Sequence, residues 1–294
     1  MCGAAMTLFA YQIFHAVAQQ GSFARAAELL HVTPSAISHA VAGMEAEFGF
    51  SLFARTKSGV KLTGSGASLL PAVEKVLNSH ENTMQQVAEI NGMQKGSVRL
   101  GAFNSVCVSW LPRIITGFKE KFPAIEVEIW QGDYNDVAAW LRDGVVDLGF
   151  LSADASRETC FFPLYEDPLV CIAPLDFETS TPGHISLEEM RGQPFVIQST
   201  GGDADVQNYL KKYRLEIRSS CHVADDQSTV AMVQSGLGIS IMPRMLLENG
   251  AASVQVLPIE PSASRTIGIA CLSEAGMSPA AKQMLHFVQN MMQQ

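Results

Sequence analysis

Six cysteines, seven histidines and scattered serine and threonine hydroxyls give this 294-residue sequence its widest chemical options. Hydrolysis needs a nucleophile, a base and an orienting acid held together. Ser105, His184 or His222, and an aspartate form such a set on paper. The local signatures are missing: there is no G-x-S-x-G elbow, no H-E-x-x-H, no phosphate loop and no G-x-G-x-x-G after a strand. The sequence therefore reads as a non-enzyme that needs no cofactor. Cys2, Cys107, Cys160, Cys171, Cys221 and Cys271 include no C-x-x-C, which indicates neither a zinc site nor a disulfide framework. Thiol-based redox sensing stays open as an alternative. Cys160 and Cys171 lie eleven apart, and Cys107 falls near a helix N-terminus, where a thiol pKa is lowered. The blander role is a small buried hydrophobe, above all for Cys171 and Cys271 in strands.

The elements around these residues fall into three parts. Leu8, Tyr11, Ile13, Phe14 and Val17 stripe a first helix, which Gly21 ends. Ser22 caps a second helix over 23–30, with Ala26, Ala27, Leu29 and Leu30 inward. Thr33-Pro34 opens a third helix over 35–48, ended by Gly49, with Ala36, Ile37, Val41 and Met44 in the core. Two helices on a short turn make a helix-turn-helix, and Leu52-Phe53, Lys57-Ser58-Gly59 and Val60-Lys61-Leu62 make a wing. Residues 63–92 read as one helix of roughly 40 Å capped by Thr63. Leu70, Val73, Leu77, Met84 and Val87 form a heptad seam for a partner helix, with His80 between them and Pro71 as a possible kink.

From residue 96 onward, strands alternate with helices. Strands are expected over 98–103, 127–130, 146–151, 169–173, 195–198, 217–223, 239–242, 254–257 and 266–272. Helices are expected over 106–121, 137–142, 206–213, 228–235 and 279–292. This alternation predicts mostly parallel sheets covered by helices, with chain enough for two small α/β lobes. Ligands in open α/β sheets sit beyond the carboxyl ends of strands. Those ends lead into Phe103-Asn104-Ser105, Gln131-Gly132-Asp133, Leu151-Ser152 and Gln198-Ser199-Thr200-Gly201-Gly202. Ser105, Asp203 and Asp225 or Asp226 are candidate helix caps, and facing helix N-termini suit a small carboxylate or another polar metabolite. These loops carry no Lys or Arg, so a multiply charged anion would lack a charge-assisted clamp.

Composition limits the partners. The net charge is -9, which argues against indiscriminate coating of nucleic acid. Residues 1–66 nevertheless carry Arg25, Arg55, Lys57 and Lys61 against Glu28, Glu45 and Glu47, the sign expected of a DNA-facing head on an acidic body. No apolar run reaches a membrane span and no secretory signal is evident, so the expectation is a cytoplasmic protein with reduced thiols and no membrane partner.

Gly21-Ser22-Phe23, Ala26-Ala27-Glu28, Pro34-Ser35-Ala36-Ile37-Ser38, Glu45, Gly49, Leu52-Phe53-Ala54-Arg55 and Leu62-Thr63-Gly64-Ser65-Gly66 stand at fixed spacing. Together they resemble the head of the LysR-type transcriptional regulators. Leu111-Pro112 with Phe118, Phe122-Pro123, Leu141 to Gly144, Asp147-Leu148-Gly149, and Val233 to Gly238 with Pro243 are similar, in order, to that family's effector-binding domain. The resemblance covers about residues 7–290. It implies a winged helix-turn-helix (1–62), a linker and dimerisation helix (63–92) and a two-lobed α/β effector-binding domain (93–294). The expected lobes are about 96–171 plus 267–294, and about 172–266. The implied assembly is a homodimer within a homotetramer.

On that reading the third helix enters the major groove of an operator in double-stranded DNA. It offers Thr33, Ser35, Ser38 and His39 to phosphates or base edges. Arg55 at the base of the wing is placed to clamp a phosphate, Lys57 and Lys61 to follow the minor groove, and Arg25 to add a weaker contact. With so few cations per head, affinity should depend on heads binding together. The effector, a polar metabolite or small organic acid, is expected between the lobes. Asn104, Ser105, Ser152, Gln198, Ser199, Thr200 and Asp226 are its candidate contacts.

Overall fold

The computed structural model describes residues 6–56, 59–91, 95–198, 204–223, 225–247 and 253–293. The chain divides into two compact units, Met1–Met93 with Arg142–Val145, and the remainder.

The first unit holds helices α1 (Leu8–Gln20), α2 (Phe23–Leu29) and α3 (Pro34–Phe48), then strands β1 (Phe53–Thr56) and β2 (Gly59–Leu62), then α4 (Gly64–Ile90). Side chains at the helix starts set the boundaries: Thr7, Ser22, Thr33 and Thr63 each accept a backbone N–H from the first turn. Pro34 at the first position of α3 needs no N–H donor there. Gly49 ends α3 at a φ of 78°, where a side chain would be strained. Ile13, Val17, Ala26, Ala27, Ile37, Val41 and Val60 close one core. Phe14, Met44, Leu52 and Val73 close a second. Two expected core positions are corrected. Leu29 and Ala36 are exposed, because each lies on the solvent side of its helix once α1 has covered the opposite face.

The seam of α4 is also revised. Leu70, Val73 and Leu77 pack on the unit's own core. The exposed apolar side chains are Val76, Met84, Val87 and Ile90. The helix runs unbroken through Pro71.

The second unit begins with β3 (Gly96–Ala102), α5 (Asn104–Ser109), α6 (Leu111–Lys121), β4 (Ile125–Gln131), α7 (Tyr134–Asp143) and β5 (Leu148–Ser152). Next come β6 (Cys160–Ala173), β7 (Ile185–Ser186), α8 (Leu187–Arg191), β8 (Pro194–Gln198), α9 (Ala204–Lys212), β9 (Arg218–Val223) and α10 (Asp226–Gln234). The chain finishes with β10 (Ser240–Pro243), β11 (Gln255–Glu260), β12 (Ser264–Cys271) and α11 (Pro279–Met292).

The pairing is mixed, not mostly parallel as expected. β3 pairs parallel with β4 and β5, and β8 pairs parallel with β9. β6 and β12 run antiparallel to each other and to β5, β10 and β11. They are the two long strands that carry the chain from one lobe to the other. The part of β6 before Leu169 contains Pro163 and Pro168 and mostly half-buried or exposed residues, so it carries no apolar run that marks a strand. The helix expected over 106–121 is two helices, because Pro112 near the start of α6 cannot continue the ladder from α5.

One lobe's core packs Leu100, Ile114, Phe118, Phe150, Ile267 and Ile269 against Met284 and Val288 of α11. In the other lobe β6 alternates faces. Leu169 and Cys171 point into one cluster, and Val170 and Ile172 into the next.

Candidate functional site: a nucleic-acid head and an interlobe cleft

Thr33, Ser35, Ser38 and His39 are all exposed on the first turns of α3. Thr33 also holds the helix start, its hydroxyl accepting from Ala36 N at 3.2 Å. Behind that surface, Glu45 Oε1 accepts from Leu52 N at 2.7 Å and Phe53 N at 3.2 Å, which fixes the wing to the end of α3. Thr63 donates its hydroxyl to the Ser51 carbonyl at 2.7 Å. Gly66 lets α4 approach, since a Cβ there would stand 2.3 Å from Leu52 O. These contacts make the wing and α3 one presenting surface. Arg25 is exposed, and its guanidinium donates to the Gln20 carbonyl. Arg55 lies in β1 and Lys61, exposed, in β2, where the two strands pair antiparallel. The Arg55 side chain and all of Lys57 lie outside the described residues.

In the second unit the expected cleft residues come together only in part. Asn104 Nδ2 donates to Asp226 Oδ2 at 2.5 Å, and Gln198 Nε2 donates to Asp226 Oδ1. Gln131 Nε2 donates to Asn104 Oδ1 at 3.2 Å. Asn104 belongs to the lobe of β3 and Asp226 to the lobe of β8, so this carboxylate joins the two. Beside it lies a cavity of about 30 Å³ with Gln198, Asp226, Thr229, Ser240 and Met242 in its wall. Asp225, not Asp226, caps α10, accepting from Ser228 N at 2.8 Å, and its carboxyl is held below the ordinary range by that bond. Ser199, Thr200 and Asp203 lie outside the described residues. Ser152 is buried at the end of β5, its backbone opposite Ile267.

Ser105 is not a helix cap. It is 2% exposed, and its Oγ accepts from Arg265 Nη2 at 2.8 Å. Arg265 stands opposite Asp167 in the β12–β6 ladder, and both are buried. Its Nε and Nη2 reach Asp167 Oδ2 at 3.0 and 2.8 Å, while Asp167 Oδ1 accepts from Met245 N at 3.0 Å. Burial pushes the Asp167 carboxyl up and Arg265 pulls it back. Nη1 donates to the Tyr134 hydroxyl at 2.9 Å, and that hydroxyl donates to Asp205 Oδ2 at 3.1 Å. The Phe103 ring packs against both Tyr134 and Arg265. Tyr134–Asp205 is thus a second polar bridge between the lobes. Sequence reasoning missed Arg265, Asp167, Tyr134 and Asp205. Strand alternation around Arg265, with Ile267 and Ile269 inward, is the one signal that it faces the interior. The loops lack cations as expected, but a strand supplies one, already neutralised by Asp167.

The two thiol features singled out from the sequence, a lowered Cys107 and a Cys160–Cys171 pair, are not what the structure shows. Burial pushes Cys107 up to about 11, against the lowering expected at a helix start. Cys160 and Cys171 lie at opposite ends of β6, eleven residues of extended chain or roughly 35 Å apart, and cannot meet. Cys171 is fully buried and its thiol is pushed up. As for the triad built on paper, the Ser105 hydroxyl meets Arg265, and His184 pairs with Glu260 at 3.2 Å. Among the described residues no group of three or more His, Cys, Asp or Glu is placed to hold a metal, and no helix is long and apolar enough to cross a membrane.

A three-helix head with a wing, a long helix, and a two-lobed α/β unit crossed by two strands define a one-component regulator architecture. Two family models match the chain. One, bacterial regulatory helix-turn-helix protein of the lysR family, covers residues 8–67, and the other, the LysR substrate binding domain, covers residues 91–293. The chain belongs to the LysR family of transcriptional regulators. It is 26% identical over 280 residues to the uncharacterised HTH-type transcriptional regulator YvbU of Bacillus subtilis, covering 94% of this chain and 96% of that one. A full-length OxyR variant from Pseudomonas aeruginosa has the same fold, with a TM-score of 0.76 at 22% identity over 99% of this chain and 95% of that one. The effector binding domain of QuiR, solved with shikimate, matches 68% of this chain and 98% of its own length, with a TM-score of 0.60 at 23% identity.

Proposed function

We propose that this regulator binds an operator in double-stranded DNA and that a small polar metabolite or organic acid, taken up between the lobes, sets its output. Thr33, Ser35, Ser38 and His39 read the major groove. Arg55, Lys57 and Lys61 hold the wing to the backbone, and Arg25 adds a phosphate contact. The lobes are about 96–171 with 267–294, and about 172–266. The exposed stripe Val76, Met84, Val87 and Ile90 of α4 supports a homodimer, which the bodies join into a homotetramer, and the expected compartment is the cytoplasm.

The observation that carries the effector reading is Asp226, which draws the amide donors of Asn104 and Gln198 to one carboxylate between the lobes. A ligand carboxylate can take those donors in its place. The adjoining cavity of about 30 Å³ suits a water or two and not a metabolite, so uptake must separate groups now bonded. A ligand shifts such an equilibrium only by its differential affinity for the two arrangements. Separation or closure then turns one lobe against the other and changes the spacing of the heads on DNA. The shikimate bound by QuiR, a hydroxylated monocarboxylic acid, is of the chemical class this donor set suits.

The test is a thermal-shift screen of amino acids, hydroxy acids and aromatic acids on the full-length protein, followed by titration of the strongest stabiliser. Asp226→Asn removes the competing carboxylate. It is expected to change the affinity of a carboxylate ligand at least fivefold while leaving ligand-free operator binding within twofold. Unchanged ligand affinity would move the site away from Asp226.

A further inference from the structure

Cys160 opens β6 and Cys271 closes β12, and in the antiparallel ladder between those strands the two stand directly opposite each other. Residues so paired project from the same face, with Cα atoms about 4.5 or 5.5 Å apart according to the type of pair. Both separations fall within the roughly 4.4–6.8 Å that a disulfide spans. The side chains belong to one apolar cluster, Cys271 buried within it and Cys160 half-buried at its edge. Neither takes part in the head or the interlobe cleft described above, and 111 residues of sequence separate them, so no spacing motif marks the pair.

We propose that Cys160 and Cys271 are a reversible dithiol–disulfide site, oxidised by a small-molecule disulfide such as oxidised glutathione. Cys160, the more accessible thiol, loses its proton to water and attacks one sulfur of the oxidant. A mixed disulfide forms on Cys160 and one thiolate leaves. Cys271 then loses its proton and attacks Cys160 Sγ, forming the internal disulfide and expelling the second thiolate. Two protein thiols are oxidised, and one oxidant disulfide is reduced to two thiols, which take up the two protons released. Burial, together with Cys160 beside it, holds the Cys271 thiol up at about 11, which makes closure the slower of the two steps. The bond would staple the two long strands β6 and β12 that cross between the lobes and enclose one whole lobe in a covalent loop. Long loops gain most from such a constraint.

The test uses the full-length protein, reduced and then exchanged into oxidised glutathione, with free thiols alkylated before digestion. Four of the six thiols should remain alkylatable, and one peptide should join Cys160 to Cys271. The melting temperature should rise by roughly 5 °C or more and return on reduction. Amide exchange in β6 and β12 should slow. Cys160→Ser should abolish the change. Cys271→Ser should stop at a glutathione adduct on Cys160 with no rise in melting temperature, and Cys271→Ala serves if the serine variant does not fold. The proposal is overturned if the wild type keeps all six thiols, holds glutathione on Cys160 without closing, or links a different pair. None of these readouts involves DNA or an effector, so they stand or fall apart from the proposed function.

Discussion

On α3 the hydroxyls of Thr33, Ser35 and Ser38 stand in solvent, on a helix whose start is set by a residue one position before it. In the body Arg265, Asp167 and Ser105 are buried, Gln198 and Asp226 half-buried and Asn104 exposed, and all are already bonded to internal partners. Arg265 meets Asp167 across 98 residues of sequence and Ser105 across 160. The head therefore offers donors that a ligand can simply take up. The body offers donors that a ligand must win from an internal partner. The difference suits a surface that binds a polyanion and a cleft that responds by exchange, and it sets where substitutions should be costly.

The comparison breaks most visibly at Arg265. Arg265→Ala leaves the Asp167 carboxylate buried without its cation, and the body should lose about 3–5 kcal/mol in urea denaturation. Removing both partners should restore part of that loss. A double variant as unstable as the single would mean that packing, and not the orphaned charge, is responsible. Next in size is Val87→Glu. It touches neither core of the first unit but puts a charge into the exposed stripe of α4. Sedimentation should show dimerisation weakened at least tenfold, about 1.4 kcal/mol, with the wild-type fold retained. Retention of the wild-type mass would assign the stripe another role.

Smaller effects sharpen the head's side of the comparison. Arg55→Ala should lower the slope of log affinity against log salt by roughly one, equally for operator and unrelated DNA. A slope that does not move would remove Arg55 from the phosphate contacts. The smallest expected effect concerns Glu189, whose carboxylate accepts from Ser186 N, Ser186 Oγ and Ser180 N. These bonds, the Ser186 hydroxyl first, hold it down at about 2 against an ordinary 4.5. A lowered carboxyl stabilises the fold fully above pH 4.5, and that contribution disappears as pH falls through 2. Ser186→Ala should flatten the stability profile across that window, modestly because the group is partly solvated.

Much of the head was legible because its signals are local. Ser22, Thr33 and Thr63 act within three residues of themselves, and Pro34 and Gly49 punctuate the chain where they stand. Leu29 and Ala36 were misplaced because helical period names a face but not which neighbour covers it. Three of the five α4 seam residues differ for the same reason: Leu70, Val73 and Leu77 find their partner in the unit's own core. In the body the strand and helix sites were largely readable, while the antiparallel crossings were not, since β6 begins in a stretch with little hydrophobic pattern.

What the sequence by itself determined is the family, the order of the elements, the exposed face of α3 and the loops at the strand ends. Each follows from residues a few positions apart, where capping, period and turn chemistry act. The tertiary structure alone decided that Asp226 would bond Asn104 and Gln198, that Ser105 would serve Arg265 and not a helix, and that Cys160 would face Cys271. Those pairs arise from strand register and from the folding of one lobe back on the other. Register depends on the summed burial of whole strands, so no local spacing records which side chains it brings together.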